Sequence, residues 1–144
     1  MIISILLQKF LTLINNFVIE NRGFDTFELK KTLMPRQEFD FIFQKTNFYG
    51  QYWKLDTAKA VIVLVHGMGE HSSRYADFVI PNLLKSDFSV ITYDHFGHGK
   101  TKGKRGHNPG YAYLLQCIDV VINKANQFFF TDIVWGVIWL SITR

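Results

Sequence analysis

The run Val61-Ile-Val-Leu-Val65, followed at once by His66-Gly-Met-Gly-Glu70, constrains this chain more than any other stretch. Five consecutive apolar residues, four of them β-branched, read as a strand buried on both faces, the kind that parallel sheets covered by helices contain. The run stops at His66-Gly67, and Gly67 and Gly69 bracket a turn that a residue with a Cβ makes only with difficulty. Glu70-His-Ser-Ser73 then begins a helical pattern. Strand, glycine turn and helix in that order leave backbone N–H groups at the C-terminal end of a strand, where negative charge in a ligand or transition state can be held. The stretch is not the dinucleotide fingerprint G-x-G-x-x-G, because the spacing differs and a third glycine is missing. Taken alone it also fits a plain β-to-α turn without chemistry.

Further strands and helices surround that element. Phe39, Phe41 and Phe43 alternate with Asp40 and Ile42, and a second run from Asn47 to Trp53 follows the turn-like Gln44–Asn47, so a hairpin is expected before the central strand. After His71 a helix is expected with Tyr75, Phe78 and Val79 on one face, bending or restarting at Pro81. Ser89–Tyr93 reads as a second buried strand ending at Asp94. From Tyr111 to Phe129 the residues Leu114, Ile118, Val121, Ile122, Ala125 and Phe129 mark a helical face, with Cys117 as core filler on its apolar side. Strand and helix in alternation predict right-handed crossovers and an α/β fold with a mainly parallel sheet. With 144 residues, 48% of them apolar and 19% charged, the chain can bury one real core and is not disordered in composition.

Residues 1–33 stand apart. Apolar positions from Ile2 to Val18 leave Ser4, Gln8, Thr12 and Asn15 on one stripe, which predicts a helix with a wide apolar face, followed by a mixed, charged linker. The stretch is too interrupted for a membrane span and lacks a basic start and a cleavage site. Three readings fit it: a helix packed on a partner or core, a membrane-surface anchor, or residues upstream of the true start at Met34. A single cysteine, Cys117, excludes an internal disulfide and fits a reducing compartment, hence a cytoplasmic expectation with peripheral membrane contact left open.

A second motif follows the Ser89–Tyr93 strand: Asp94-His-Phe-Gly-His-Gly99, then Gly103-Lys-Arg-Gly-His107. Together with His66-Gly67-Met68-Gly69-Glu70-His71, this resembles the α/β-hydrolases, in the HGxGEH form typical of monoacylglycerol lipases, lysophospholipases and the serine aminopeptidase S33 group. In that group a strand ends in D-x-x-G-x-G and the following loop ends in R-G-H. The resemblance covers about Glu38 to Phe129, including the hairpin. It implies the N-terminal half of an α/β-hydrolase domain over residues 34–136, with a Met68 N–H as an oxyanion donor and His66, Gly67 and Gly69 shaping its turn. It also implies carboxylic-ester hydrolysis of an acyl-glycerol or lysophospholipid-like substrate by a Ser-His-Asp triad, with no metal or organic cofactor. Peptidase activity stays open within the same group.

Competing readings of the glycine-rich segment are weaker. Gly99-Lys-Thr101 invites a phosphate loop, but that motif requires a glycine where Asp94 stands. The five histidines between His66 and His107 lack metal-binding spacing and fit local hydrogen bonding to turns. Lys100, Lys102, Lys104 and Arg105 form a basic patch without aromatic residues for stacking bases, so no nucleic-acid partner is expected; a solvated loop or contact with anionic headgroups remains.

The resemblance breaks at the nucleophile. No G-x-S-x-G occurs in these 144 residues. A strand beginning at Asp132 places Gly136 as the first elbow glycine, which puts Ile138 in the nucleophile slot, and an isoleucine has nothing to deprotonate. No catalytic residue is therefore expected in the chain. Residues 137–144 read as an off-pattern tail, as if a shifted frame or early stop intervened near Gly136. An uncovered apolar strand over Ile133–Leu140 predicts self-association.

Overall fold

A computed structural model describes residues 35–129 and the strand Trp135–Leu140. The expected apolar helix and linker over residues 1–33, and the last part of the off-pattern tail, lie outside the described residues.

The fold opens with a hairpin. Strands β1 (Gln37–Phe43) and β2 (Thr46–Trp53) pair antiparallel, with Phe43 opposite Thr46. Only Gln44 and Lys45 remain for the turn, at φ of +43° and +65°. Two positive φ values in a two-residue loop are the type I′ pattern, whose twist matches that of the strands. Thr46 and Asn47 thus belong to the strand rather than to the turn, because the ladder reaches two residues into the polar segment. Alternation in β1 is as expected: Phe41 is buried while Asp40 and Ile42 face outwards.

Strand β3 (Ala60–His66) is buried from Val61 onwards, as its unbroken apolar run requires. The segment after it differs from the expected helix. A short 3₁₀ turn at Ser72–Tyr75 is followed by a break and then by α1 (Val79–Lys85). Tyr75 is buried but Phe78 is 63% exposed, so the two do not share a face. The restart has a local cause: Pro81 is the third residue of α1, a position whose N–H has no intrahelical acceptor, so proline costs no bond there.

Strand β4 (Phe88–Tyr93) lies parallel to β3 and antiparallel to β2. Helix α2 (Tyr111–Phe129) then leads to β5 (Trp135–Leu140), parallel to β3 on its other side. The sheet order is β1-β2-β4-β3-β5. Both crossover units thus hinge on β3, and the C-terminal ends of its strands form the edge where α/β sheets bind ligands. Helix α2 covers one face of the sheet, packing Leu114, Cys117, Ile118, Val121, Ala125 and Phe129 against Val61, Val63, Val65, Ile91 and Tyr93.

Strand β5 runs to Leu140, the end expected for the apolar strand, and so makes no elbow after Gly136. Ile138 pairs opposite Leu64 inside the ladder, and the strand continues until Leu140 stands opposite His66. Val137-Ile-Trp-Leu140 has no glycine or turn-forming residue to stop it beside an extended neighbour, so the chain does not turn at position 138.

Candidate functional site

The turn after β3 is short and specific. Glu70 N–H donates to the Gly67 carbonyl at 3.3 Å, closing a four-residue turn with Gly69 at φ +78°. Positive φ at the third position is the type II signature, which favours glycine. Gly69, not Gly67, carries this requirement, since Gly67 is not among the residues with left-handed backbone. A type II turn leaves the N–H of its second residue unused by the turn itself. That residue is Met68, 54% exposed, and its N–H donates to no group among the described residues. Glu70 is buried and secures the far side: the Tyr75 hydroxyl donates to its Oε2, and Arg74 Nε lies 3.5 Å from Oε1. Burial, with that carboxylate next, pushes the Tyr75 phenol well above its ordinary range.

Histidines weld this turn to the end of β4. His95 N–H donates to His66 Nε2 at 3.0 Å, and the His95 Nε2 lies 2.9 Å from the His66 carbonyl oxygen. His66 Nδ1 stands 2.8 Å from the Gly67 oxygen. These partners assign His66 the neutral form, donating from Nδ1 and accepting at Nε2, while His95 donates from Nε2. Burial drives both rings towards neutrality, lowering His66 and pushing His95 down to about 3. His98 completes the group, with Nδ1 donating to the Phe96 carbonyl at 2.8 Å and Nε2 facing the Gly69 N–H at 3.5 Å. Local hydrogen bonding, as expected for glycine-turn histidines, is thus what these rings do. Among the described residues no cluster of three or more His, Cys, Asp or Glu is placed to hold a metal.

Asp94 organises the second motif, a role that its place at a strand end did not disclose. Its carboxylate is buried and accepts the Ser72 N–H at 2.7 Å and the Lys100 N–H at 2.8 Å. It therefore caps the 3₁₀ turn after β3 and the turn after β4 simultaneously. Its carbonyl accepts the Thr101 hydroxyl at 2.8 Å, which in turn accepts the Tyr49 N–H at 3.1 Å. The glycines of D-x-x-G-x-G follow from this crowding. A Cβ on Gly99 would lie 2.1 Å from Asp94 Oδ2, and one on Gly97 would lie 2.1 Å from the Lys104 carbonyl oxygen. Both also sit at positive φ, +47° and +70°. Gln51 of β2, fully buried, adds a tie to the same region by donating to Ser72 Oγ at 2.8 Å and Ser73 Oγ at 3.1 Å. The sequence shows only a glutamine within an aromatic-rich strand, which does not by itself reveal this tie.

Met68 and His98 share a cleft with His107, Asn108, Pro109 and Tyr113. Its open centre of about 10 Å³ matches a single water, so the cleft does not by itself hold an acyl chain. Cys117 lies at its floor, 2% exposed, with burial raising the thiol to about 12, which makes it inert core filler. What the arrangement offers chemically is a turn with a free N–H at its tip, held by neutral histidines and two buried carboxylates, Glu70 and Asp94. A free N–H so placed is a donor available to a negatively charged oxygen.

The sequence pattern of the serine aminopeptidase S33 family matches residues 56–131, just over half of the 144. Human monoglyceride lipase is 45% identical over 56 residues, which make up 38% of this chain and 18% of that enzyme. Phospholipase YtpA of Bacillus subtilis is 36% identical over 76 residues, 53% of this chain and 29% of the relative. The crystal structure of a thermostable carboxyl esterase from Bacillus coagulans superposes with a TM-score of 0.62 at 26% identity, over 72% of this chain and 36% of the esterase. The chain thus spans well under half the length of these proteins and carries only part of their fold. With its two glycine motifs placed at the ends of β3 and β4 on an α/β-hydrolase sheet, the chain belongs to the serine aminopeptidase S33 family of hydrolases.

Proposed function

We propose that this chain is the oxyanion-holding part of a carboxylic-ester hydrolase acting on monoacylglycerol or lysophospholipid-like substrates, without a metal or organic cofactor. The observation that carries the proposal is the unengaged Met68 N–H at the tip of a type II turn on the C-terminal edge of the sheet. His66, Gly67 and Gly69 shape that turn, and a donor so placed contributes about 3 kcal/mol to stabilising a tetrahedral intermediate. Kinship with a monoglyceride lipase and a phospholipase supports the substrate class.

The same reading makes these 144 residues inactive by themselves. They hold no G-x-S-x-G, Ile138 lies in a strand, and His66 and His95 are committed to each other rather than to a nucleophile. That commitment favours a second reading, in which the turn is architecture within a non-catalytic interaction module.

Two measurements separate the readings. The purified chain should neither hydrolyse a short-chain aryl ester nor form an adduct with a fluorophosphonate; either activity would refute the absence of a nucleophile. Residues 35–129 should then be joined to the remaining C-terminal part of human monoglyceride lipase and assayed on monoacylglycerol. Turnover that falls about a hundredfold on Gly69→Val, which distorts the turn, supports the first reading. A folded chimera whose turnover ignores that substitution supports the second.

A further inference from the structure

The charge of this chain is concentrated in one place. Its net charge is +4, and residues 95–118 contain Lys100, Lys102, Lys104 and Arg105 with no acidic residue, so the rest of the chain balances to zero. Lys102, Lys104 and Arg105 are exposed and form no ion pair among the described residues, whereas Lys100 reaches Glu38 at 3.4 Å. The loop is not a loose tether. Gly97 N–H donates to the Lys102 carbonyl at 3.3 Å, Gly106 N–H to the Gly97 carbonyl at 3.2 Å, and Arg105 Nη1 to the Gly99 carbonyl at 2.9 Å. The backbone is therefore held in place while the lysine side chains project from it.

Exposed apolar side chains flank the same loop. His107, Asn108 and Pro109 at its end share the cleft with Met68, which is 54% exposed. Two residues beyond Pro109, α2 begins with Tyr111 (69% exposed), and Leu115 (43% exposed) follows one turn later on the same side. A tyrosine, a methionine and a leucine beside unpaired cations match the interface of an anionic bilayer, where aromatic rings sit at headgroup level and lysines meet lipid phosphates and carboxylates. Base-stacking requires aromatic rings exposed among the cations; residues 100–106 contain none, and the nearby Tyr49 ring is buried under Lys100.

We infer that the loop Lys100–His107, with Met68, Tyr111 and Leu115, is a docking surface for an anionic lipid membrane that brings the mouth of the cleft to the bilayer. The inference does not rest on the hydrolase reading: an inactive chain would dock equally.

Sedimentation of the full 144-residue chain with vesicles tests it. Binding to phosphatidylcholine vesicles containing phosphatidylserine should exceed binding to phosphatidylcholine alone and fall as salt is raised. Neutralising Lys102→Gln together with Lys104→Gln should weaken binding about 25-fold, roughly fivefold per cation, while Lys124→Gln on the far part of α2 should leave it unchanged. Equal binding to both vesicle types, or an unaltered double variant, would overturn the inference and assign attachment to another part of the chain. Tighter, Lys102- and Lys104-dependent binding to a single-stranded oligonucleotide would overturn it in favour of nucleic acid. Hydrogen exchange on the vesicle-bound chain gives an independent readout: slowing across residues 100–111 supports the surface, and slowing confined elsewhere refutes it.

Discussion

Asp94 and Gly99 offer a sharp test of how the site is built, because each explains the other. Removing the carboxylate by Asp94→Ala leaves the Ser72 and Lys100 N–H groups without their acceptors, at 2.7 and 2.8 Å in the native chain. Hydrogen bonds to a charged group contribute about 1.5–3 kcal/mol each, so the expected loss is about 3–6 kcal/mol. That is a large part of the roughly 5–15 kcal/mol that stabilises an ordinary domain. Gly99→Ala acts from the other side. Its φ of +47° costs an alanine about 1 kcal/mol, and the new Cβ would meet Asp94 Oδ2 at 2.1 Å and Cγ at 2.3 Å, adding overpacking of about 1–3 kcal/mol. In the Asp94→Ala background those atoms are gone, so only the backbone cost should remain. The double variant should therefore be less destabilised than the sum of the singles, by about 1–3 kcal/mol. Urea unfolding followed by fluorescence of the buried Trp53, with a stabilising osmolyte to keep the variants in range, measures all four corners of the cycle. Additive costs within about 0.5 kcal/mol would refute the claim that the second glycine exists to admit the carboxylate.

Acid should weaken the fold through the histidine weld. An unfolded His95 titrates near the ordinary histidine value of 6.5 and the folded one near 3, so the unfolded chain binds more protons between those values and stability falls as pH drops through that window. At pH 5 the loss is about 2 kcal/mol relative to pH 7, and His95→Gln, which keeps a donor and cannot titrate, should flatten the profile; an unchanged acid slope would contradict the assignment. The hairpin turn should tolerate improvement: Lys45→Gly, at φ +65°, relieves a side chain of left-handed backbone and should raise the urea midpoint by an amount worth about 1 kcal/mol, whereas a lower midpoint would show that the type I′ geometry is misread. Cys117, 2% exposed with its thiol pushed up to about 12, should resist a disulfide reagent until the chain unfolds; rapid native-state labelling would place it on the surface instead.

Linear order alone determined much of this protein. An unbroken β-branched run can only be an interior strand, and 61–65 is one; a 3.6-residue apolar period from Tyr111 to Phe129 can only be an amphipathic helix, and α2 has those bounds. The paired glycine motifs pointed to the family because each is a local backbone requirement written in consecutive residues. What the chain order did not disclose are effects that depend on neighbours distant in sequence. Asp94 looked like a strand terminus until folding brought Ser72 and Lys100 to its two oxygens, and Gln51 looked like an ordinary strand residue until the 3₁₀ turn packed beside it. The helix expected after His71 broke up because the partners of Tyr75 and the position of Pro81 outweigh periodicity in so short a segment. Strand β5 pairs along β3 as far as His66, a partner that its own apolar run did not name. Local pattern reports what the backbone can adopt, whereas charge capping, burial and ladder length are decided by which distant groups arrive alongside.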